Sequence, residues 1–169
     1  MGPRRLTLLR HAQAQPIDSC AEDFERTLTR RGTIEAQEIA ARIANRNLIP
    51  DLLLVSPAER AWSTAEIVAE ACELEAKQVL AARELYLATP ETTWKVLLSR
   101  AASFAHVMIC GHNPGLSQIA ARFGPQPQAR ELPTAGLITA VWKHADWASL
   151  VPESAHSSEM DDPEGDNEL

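Results

Sequence analysis

Apolar positions along this chain follow two alternating patterns. Residues 6–9, 52–55 and 107–110 are short, nearly continuous hydrophobic runs, the form a strand takes when sheet neighbours and helices bury both of its faces. Between these runs the apolar residues recur every three or four positions. Ile34, Ile39, Ala40 and Ile43 predict one helix face, and Ala61, Ala65, Val68 and Cys72 a second. Trp94, Leu97, Leu98 and Ala101 predict a third face, and Leu116, Ile119, Ala120 and Phe123 a fourth. Residues 137–142 follow Gly136, are β-rich, and predict a later strand. Strands alternating with helices in this way predict a three-layer α/β/α sandwich around a mostly parallel sheet.

The predicted element ends carry the chemistry. Ser56-Pro57-Ala58-Glu59 reads as a capping box with proline at the first helical position, which puts Arg60 in the first turn. Asn113-Pro114 repeats a cap followed by proline, so His112 falls between a strand end and a helix start. The first strand ends in Arg10-His11. In parallel α/β sheets ligands bind outside the carboxyl ends of the strands, where helix N-termini offer free N–H groups to anions. The spacing therefore predicts that Arg10, His11, Arg60 and His112 face one another, with no carboxylate assigned among them.

Composition limits what surrounds this cluster. A chain of 169 residues that is 45% hydrophobic can bury one substantial core, so one domain over residues 1–151 is expected. The net charge of -7 is lopsided: residues 152–169 hold seven of the 23 acids and no Lys or Arg, and read as a disordered acidic tail. The remainder balances 16 acids against 16 bases, so it neither repels an anionic substrate nor offers the basic stripe that nucleic acid needs. Three cysteines at unrelated spacings fit neither a disulfide framework nor a zinc site, and suggest a reducing compartment. His106, His144 and His156 have no ligand spacing, so no metal is expected. No apolar run is long enough to span a membrane, the opening segment is too short for a signal peptide, and Pro3 and Leu6 break a myristoylation pattern. A cytoplasmic protein is expected.

Two arginines and two histidines around one point suit a phosphoryl group. Guanidinium groups bind its oxygens bidentately and stay charged as it transfers. A neutral His11 is a competent nucleophile toward phosphorus if a backbone carbonyl holds its other ring nitrogen. A protonated His112 would donate to a phosphoryl oxygen.

At this point the segments resemble a known family. Leu8-Leu9-Arg10-His11-Ala12, Asp23-Phe24-Glu25-Arg26-Thr27-Leu28-Thr29, Leu53-Leu54-Val55-Ser56-Pro57-Ala58-Glu59-Arg60-Ala61, Cys110-Gly111-His112-Asn113-Pro114-Gly115 and Leu132-Pro133-Thr134-Ala135-Gly136 are similar, in order, to the histidine phosphatase superfamily, and especially to its short SixA-like phosphohistidine phosphatase branch. The resemblance implies a phosphoglycerate mutase-like fold in a minimal version without lid insertions. It implies a phosphohistidine intermediate on His11, with Arg10, Arg60 and His112 completing the phosphate pocket and no cofactor or metal. Arg26 matches a recurrent loop arginine that contacts substrate, although a salt bridge to Asp23 or Glu22 accounts for it equally well. Ala12 stands where many members have glycine.

One departure bears on the substrate. Glu84-Leu85-Tyr86-Leu87-Ala88 resembles the family's Leu-Tyr-Glu-Ala segment with Leu87 in place of the glutamate proton donor, and Glu84 is out of register. An alkoxide leaving group needs a general acid, whereas the imidazole of a phosphohistidine departs readily. The expected reaction is therefore metal-independent dephosphorylation of phosphohistidine on a protein. A phosphatase for a small phosphorylated metabolite, using Glu84 as the donor, is a second reading. A catalytically silent phosphate-sensing module is a third, though it would more commonly lack one of the four residues. Bland roles remain for each residue: His112 as a helix-cap neighbour, Arg60 paired to Glu59, Glu84 as a loop carboxylate. Trp94, Trp142 and Trp147 read as packing residues.

Overall fold

Strand β1, Arg4–Arg10, occupies the middle of a six-stranded sheet because residues 6–9 can be covered on both sides, and Leu6, Leu8 and Leu9 are fully buried. The computed structural model describes residues 2–124, 131–143 and 146–163. In chain order the further elements are α1 (Arg30–Asn45), β2 (Leu52–Val55), α2 (Glu59–Ala71), β3 (Val79–Ala81), α3 (Pro90–Arg100), β4 (His106–Gly111), α4 (Gly115–Ala120), β5 (Leu137–Trp142) and β6 (Ser157–Asp161).

The sheet order is β3-β2-β4-β1-β5-β6, with β3, β2, β4 and β1 mutually parallel and β5 antiparallel to both β1 and β6. Strand side chains alternate between faces, which makes two cores. Leu53, Val55, Met108 and Cys110 pack with Ile39 and Ile43 of α1 and Ala61, Ala65 and Val68 of α2. Leu52, Leu54, Val107 and Ile109 pack with Val96 and Leu97 of α3 and Leu116 and Ile119 of α4, where Trp142 and Trp147 also sit. The result is the expected three-layer α/β/α sandwich with a mostly parallel sheet. Trp94, Phe123 and Trp147 ring Trp142 at centroid distances of 6.0, 5.7 and 6.2 Å, the packing role read for the tryptophans.

Three local expectations need correction. Ile34 is 47% exposed rather than part of the α1 core face, because it lies about 140° around the helix from Ile39; Glu35 and Ala36 turn inward in its place. Ser56 does not cap α2, which starts at Glu59 behind Ala58 with no side-chain cap, and the Ser56 hydroxyl is used elsewhere. The third concerns the acidic tail. Residues 157–161 form β6 and pair with β5 from Val141↔Ser157 to Leu137↔Asp161. Asp161 accepts from Arg42 of α1 at 2.8 Å and from Arg46, just past the helix, at 3.0 Å, so two arginines hold an acidic strand whose composition suggests disorder. The domain boundary placed after residue 151 is thus overtaken by strand pairing; residues 164–169 lie outside the described residues.

Two helix starts set up the site. Thr29 caps α1 by accepting from Gly32 N–H at 2.9 Å, and Thr89 caps α3 by accepting from Thr92 N–H at 3.2 Å with Pro90 in the first turn. A Cβ built on Gly32 would stand 1.9 Å from the Gln13 carbonyl oxygen, so only glycine lets α1 approach the segment after β1 this closely. Glu35 accepts the Gln13 N–H at 2.9 Å from the same helix. Among the described residues no helix is long and apolar enough to cross a membrane.

Candidate active site

β2, β4 and β1 are adjacent in the sheet, and their carboxyl ends deliver Ser56, His112 and His11 side by side. The chain runs on from each strand in register: His11 N–H donates to the Gly111 carbonyl at 3.1 Å and Ser56 N–H to the Cys110 carbonyl at 3.0 Å. His11 and His112 are 8% and 4% exposed, with ring centroids 5.2 Å apart. Arg60, in the first turn of α2, is 2% exposed and directs its Nε to His11 Nε2 at 3.2 Å. Thr64 ties this turn to the loop: its Oγ1 donates to the Arg60 carbonyl at 2.7 Å and accepts the Ala12 N–H at 3.0 Å. Arg10 flanks the cluster and donates from a terminal nitrogen to the Leu132 carbonyl at 2.9 Å.

The two histidines are held in different ways. His11 Nδ1 lies 2.8 Å from the Ala12 carbonyl oxygen, which can only accept, so Nδ1 carries the hydrogen and Nε2 presents its lone pair toward Arg60. Burial lowers the His11 pKa to about 4 against the raising effect of the Ala12 bond, with the positive charges of Arg60, Arg10 and Arg26 adding to the fall. The imidazole is neutral at pH 7. His112 Nε2 lies 2.7 Å from Ser56 Oγ, and that hydroxyl already accepts the Ala58 N–H at 3.4 Å. Nε2 is the only acceptor found for the serine hydrogen among the described residues, so the hydroxyl donates to it and the His112 hydrogen sits on Nδ1. Burial, then His11 and Arg60, lower the His112 pKa to about 3. His112 is neutral at pH 7, and its Nδ1–H is available for donation.

His112 Nδ1 and Arg10 Nε are buried without a hydrogen-bond partner among the described residues. Buried donors are nearly always satisfied, so an unpaired pair beside a neutral imidazole fits an acceptor-rich guest such as a phosphoryl group.

The loop after β1 adds a carboxylate to a cluster expected to contain none. Asp23 opens a 3-10 turn over Asp23–Glu25; its Oδ2 accepts from an Arg60 terminal nitrogen at 2.9 Å and from Tyr86 Oη at 2.7 Å, and its Oδ1 accepts from Arg26 at 2.8 Å. Its carbonyl also accepts from Arg60 at 2.7 Å. Burial works to raise the Asp23 pKa, but the hydrogen bonds from Arg26, Tyr86 and Arg60 outweigh it and hold the carboxyl well below the usual carboxylate range. Arg26 makes the Asp23 salt bridge and donates from Nε to the Gln15 carbonyl at 2.7 Å, so of its two expected roles the structural one is directly visible. Tyr86 stands edge-on to His112 with centroids 5.6 Å apart. Glu84 is exposed on the turn before it, and Leu87 is 53% exposed.

Ser56, Thr64, Asp23 and Tyr86 join the site without being legible as site residues in the sequence. The Asp23-to-Arg26 spacing was the available signal for one of them. The other three depend on strand order and loop path, which spacing does not carry. No group of three or more His, Cys, Asp or Glu side chains is arranged to hold a metal ion among the described residues.

Comparison with known proteins gives a consistent picture. The family model for the histidine phosphatase superfamily (branch 1) matches residues 6–106. A crystal structure named as phosphohistidine phosphatase SixA from Agrobacterium tumefaciens is 30% identical, with 85% of this chain and 93% of that chain covered and a TM-score of 0.71. The protein of the same name from Nakamurella multipartitia has a TM-score of 0.80 at 23% identity, covering 96% and 98%. A protein histidine phosphatase SixA complexed with tungstate has a TM-score of 0.77 at 20% identity, covering 94% and 97%. No curated protein gives a significant match.

Proposed function

The chain belongs to the histidine phosphatase superfamily, and we propose that it removes the phosphoryl group from phosphohistidine on a protein by way of a phosphohistidine intermediate on His11. Phosphatase chemistry follows from the membership; the substrate and the residue roles are our reading. The observation that carries it is the His11 ring, locked by the Ala12 carbonyl with a neutral, unprotonated Nε2 at the centre of three arginines and a second histidine.

In this mechanism the His11 Nε2 lone pair attacks phosphorus. Arg60 swings its Nε–H from Nε2 to a phosphoryl oxygen, Arg10 offers its unpaired Nε–H to another, and His112 donates from Nδ1. These contacts tighten as charge builds on the equatorial oxygens, which is where electrostatic stabilisation acts. Arg26 adds positive charge at the rim. The bond to the leaving group breaks and its electron pair departs with that group. Water then attacks the phosphorylated His11, and the P–N electron pair returns to Nε2 as inorganic phosphate forms.

The site supports a good leaving group better than a poor one. Leu87 replaces the expected carboxylic acid and is exposed, and the carboxyl of Asp23 is held ionised, so it has no proton to give. An imidazole leaves without such a donor, whereas an alkyl phosphate needs one. Incubation with a labelled phosphohistidine peptide followed by rapid quench should trap an acid-labile, base-stable phosphoenzyme that is lost in His11→Ala. Wild-type turnover without such a species, or full activity in His11→Ala, would overturn the nucleophile assignment. Turnover confined to phosphomonoesters would overturn the substrate.

A further inference from the structure

Beside the two histidines lies a cavity of about 370 Å³ lined by Glu22, Asp23, Phe24, Arg83 and Tyr86. Its aromatic wall is continuous with the site: Phe24 meets Tyr86 edge to face at 5.1 Å, and Tyr86 meets His112 edge-on at 5.6 Å. Asp23 lies on the shared boundary, bonded to Arg60 on the side of the nucleophile and to Tyr86 on the side of the cavity. Its negative charge offsets part of the positive charge of Arg60 and Arg26, a handicap for a site that binds dianions. The handicap disappears when the group attached to phosphorus is itself positive or carries an N–H.

The geometry points to Asp23 as the residue that selects P–N over P–O substrates, with the cavity receiving a protonated nitrogen leaving group and the Asp23 carboxylate facing its N–H. The inference rests on the P–N reading of the same site and gives it a cause. Phosphohistidine is reactive when the ring nitrogen remote from phosphorus is protonated, since the ring then leaves as neutral imidazole. A nearby carboxylate favours that cationic form and raises its pKa. The balance is complete without a general acid: His11 Nε2 bonds to phosphorus, the P–N bond breaks, its electron pair returns to the ring nitrogen, and the remote N–H stays on the departing imidazole. An imidazolium also suits the electron-rich faces of Phe24 and Tyr86. A phosphomonoester leaves an oxygen that can neither donate to Asp23 nor be protonated by it.

The carboxylate also holds Arg60 and Arg26, and a purely supporting role predicts something different. The test compares kcat/KM of wild type, Asp23→Asn and Asp23→Glu on a phosphohistidine peptide, on phosphoramidate and on p-nitrophenyl phosphate, between pH 5.5 and 8.5. Asp23→Asn is expected to lower kcat/KM on both P–N donors, mainly through kcat, at least tenfold more than on the aryl phosphate, whose loss reports the loosened Arg60 and Arg26 alone. The alkaline limb of kcat on the phosphohistidine peptide should move down by about one pH unit. Asp23→Glu, which keeps the charge, should recover part of the selectivity. Equal losses on all three substrates would reduce Asp23 to a support for the arginines and overturn the inference. Wild-type action on phosphoramidate but not on the peptide would sink the protein substrate while leaving Asp23 to be judged on phosphoramidate. Wild-type failure on both P–N donors would end both readings.

Discussion

Replacing Ser56 with alanine removes one hydroxyl from a fully buried position and should act through His112. The hydroxyl is the only partner found for His112 Nε2 among the described residues, at 2.7 Å, and it determines that the ring hydrogen sits on Nδ1, where a phosphoryl oxygen would approach. Without it, Nε2 is a buried acceptor with nothing to accept, which costs about 1–3 kcal/mol of stability. The ring can limit that cost by moving its hydrogen to Nε2, but Nδ1 then turns a lone pair toward the phosphoryl oxygen. A lost neutral hydrogen bond of about 1 kcal/mol corresponds to roughly a fivefold loss in affinity, and the added repulsion should bring the fall in kcat/KM to about tenfold. The assays are steady-state turnover, the change in melting temperature on adding inorganic phosphate, and the ¹⁵N shifts of the His112 ring. In wild type the shifts should show a protonated Nδ1 and in Ser56→Ala a mixture. A variant that melts earlier yet keeps wild-type kcat/KM and phosphate response would refute the assignment, because Ser56 would then serve packing alone.

Other consequences follow from the same geometry. Arg60→Ala should lower kcat by about a hundredfold or more, as removal of a transition-state donor does, with a smaller change in KM. Acid should destabilise the protein: the folded pKa values of His11 and His106 are about 4, chiefly through burial, while an unfolded imidazole titrates near 6.5. The unfolded chain therefore binds more protons between these values, and each ring should take about 2 kcal/mol from the unfolding free energy between pH 7 and pH 5, measurable by urea titration. A flat profile over that range would contradict the burial of both rings. Gly32→Ala should cost about 1–3 kcal/mol and reduce activity with it, since its Cβ would stand against the Gln13 carbonyl; a wild-type melting temperature would show that this approach can relax freely. Incubation with EDTA should leave turnover unchanged, and a loss restored by added metal would refute a metal-independent mechanism.

The parts of the fold that could be read in advance are those whose residues have little choice. Residues 52–55 and 107–110 are so apolar that only the inner sheet accommodates them, and the helices follow from their period. β3 is Val-Leu-Ala, too short an apolar run at a sheet edge to stand out, and β6 is Ser-Ser-Glu-Met-Asp, with no hydrophobic signature; β6 forms because Asp161 meets Arg42 and Arg46, a pairing 119 and 115 residues distant. Arg10, His11, Arg60 and His112 could be placed together because each follows or flanks a parallel strand end. Asp23 could not, since its position depends on the path of a loop closed by the Gln15–Thr27 and Gln13–Thr29 backbone bonds. The Ser56 case is the converse: a motif legible as a helix cap supplies its hydroxyl to His112 instead, because three residues separate the strand end from the helix start.

The nucleophile is oriented by a peptide oxygen, that of Ala12, rather than by a carboxylate side chain. Every amino acid brings the same oxygen to that position, so drift at residue 12 can alter the bulk near the ring without erasing its alignment. Variants that silence this enzyme through loss of ring alignment should therefore be found in what fixes the backbone of residues 11–13, such as Thr64, Glu35 and Gly32.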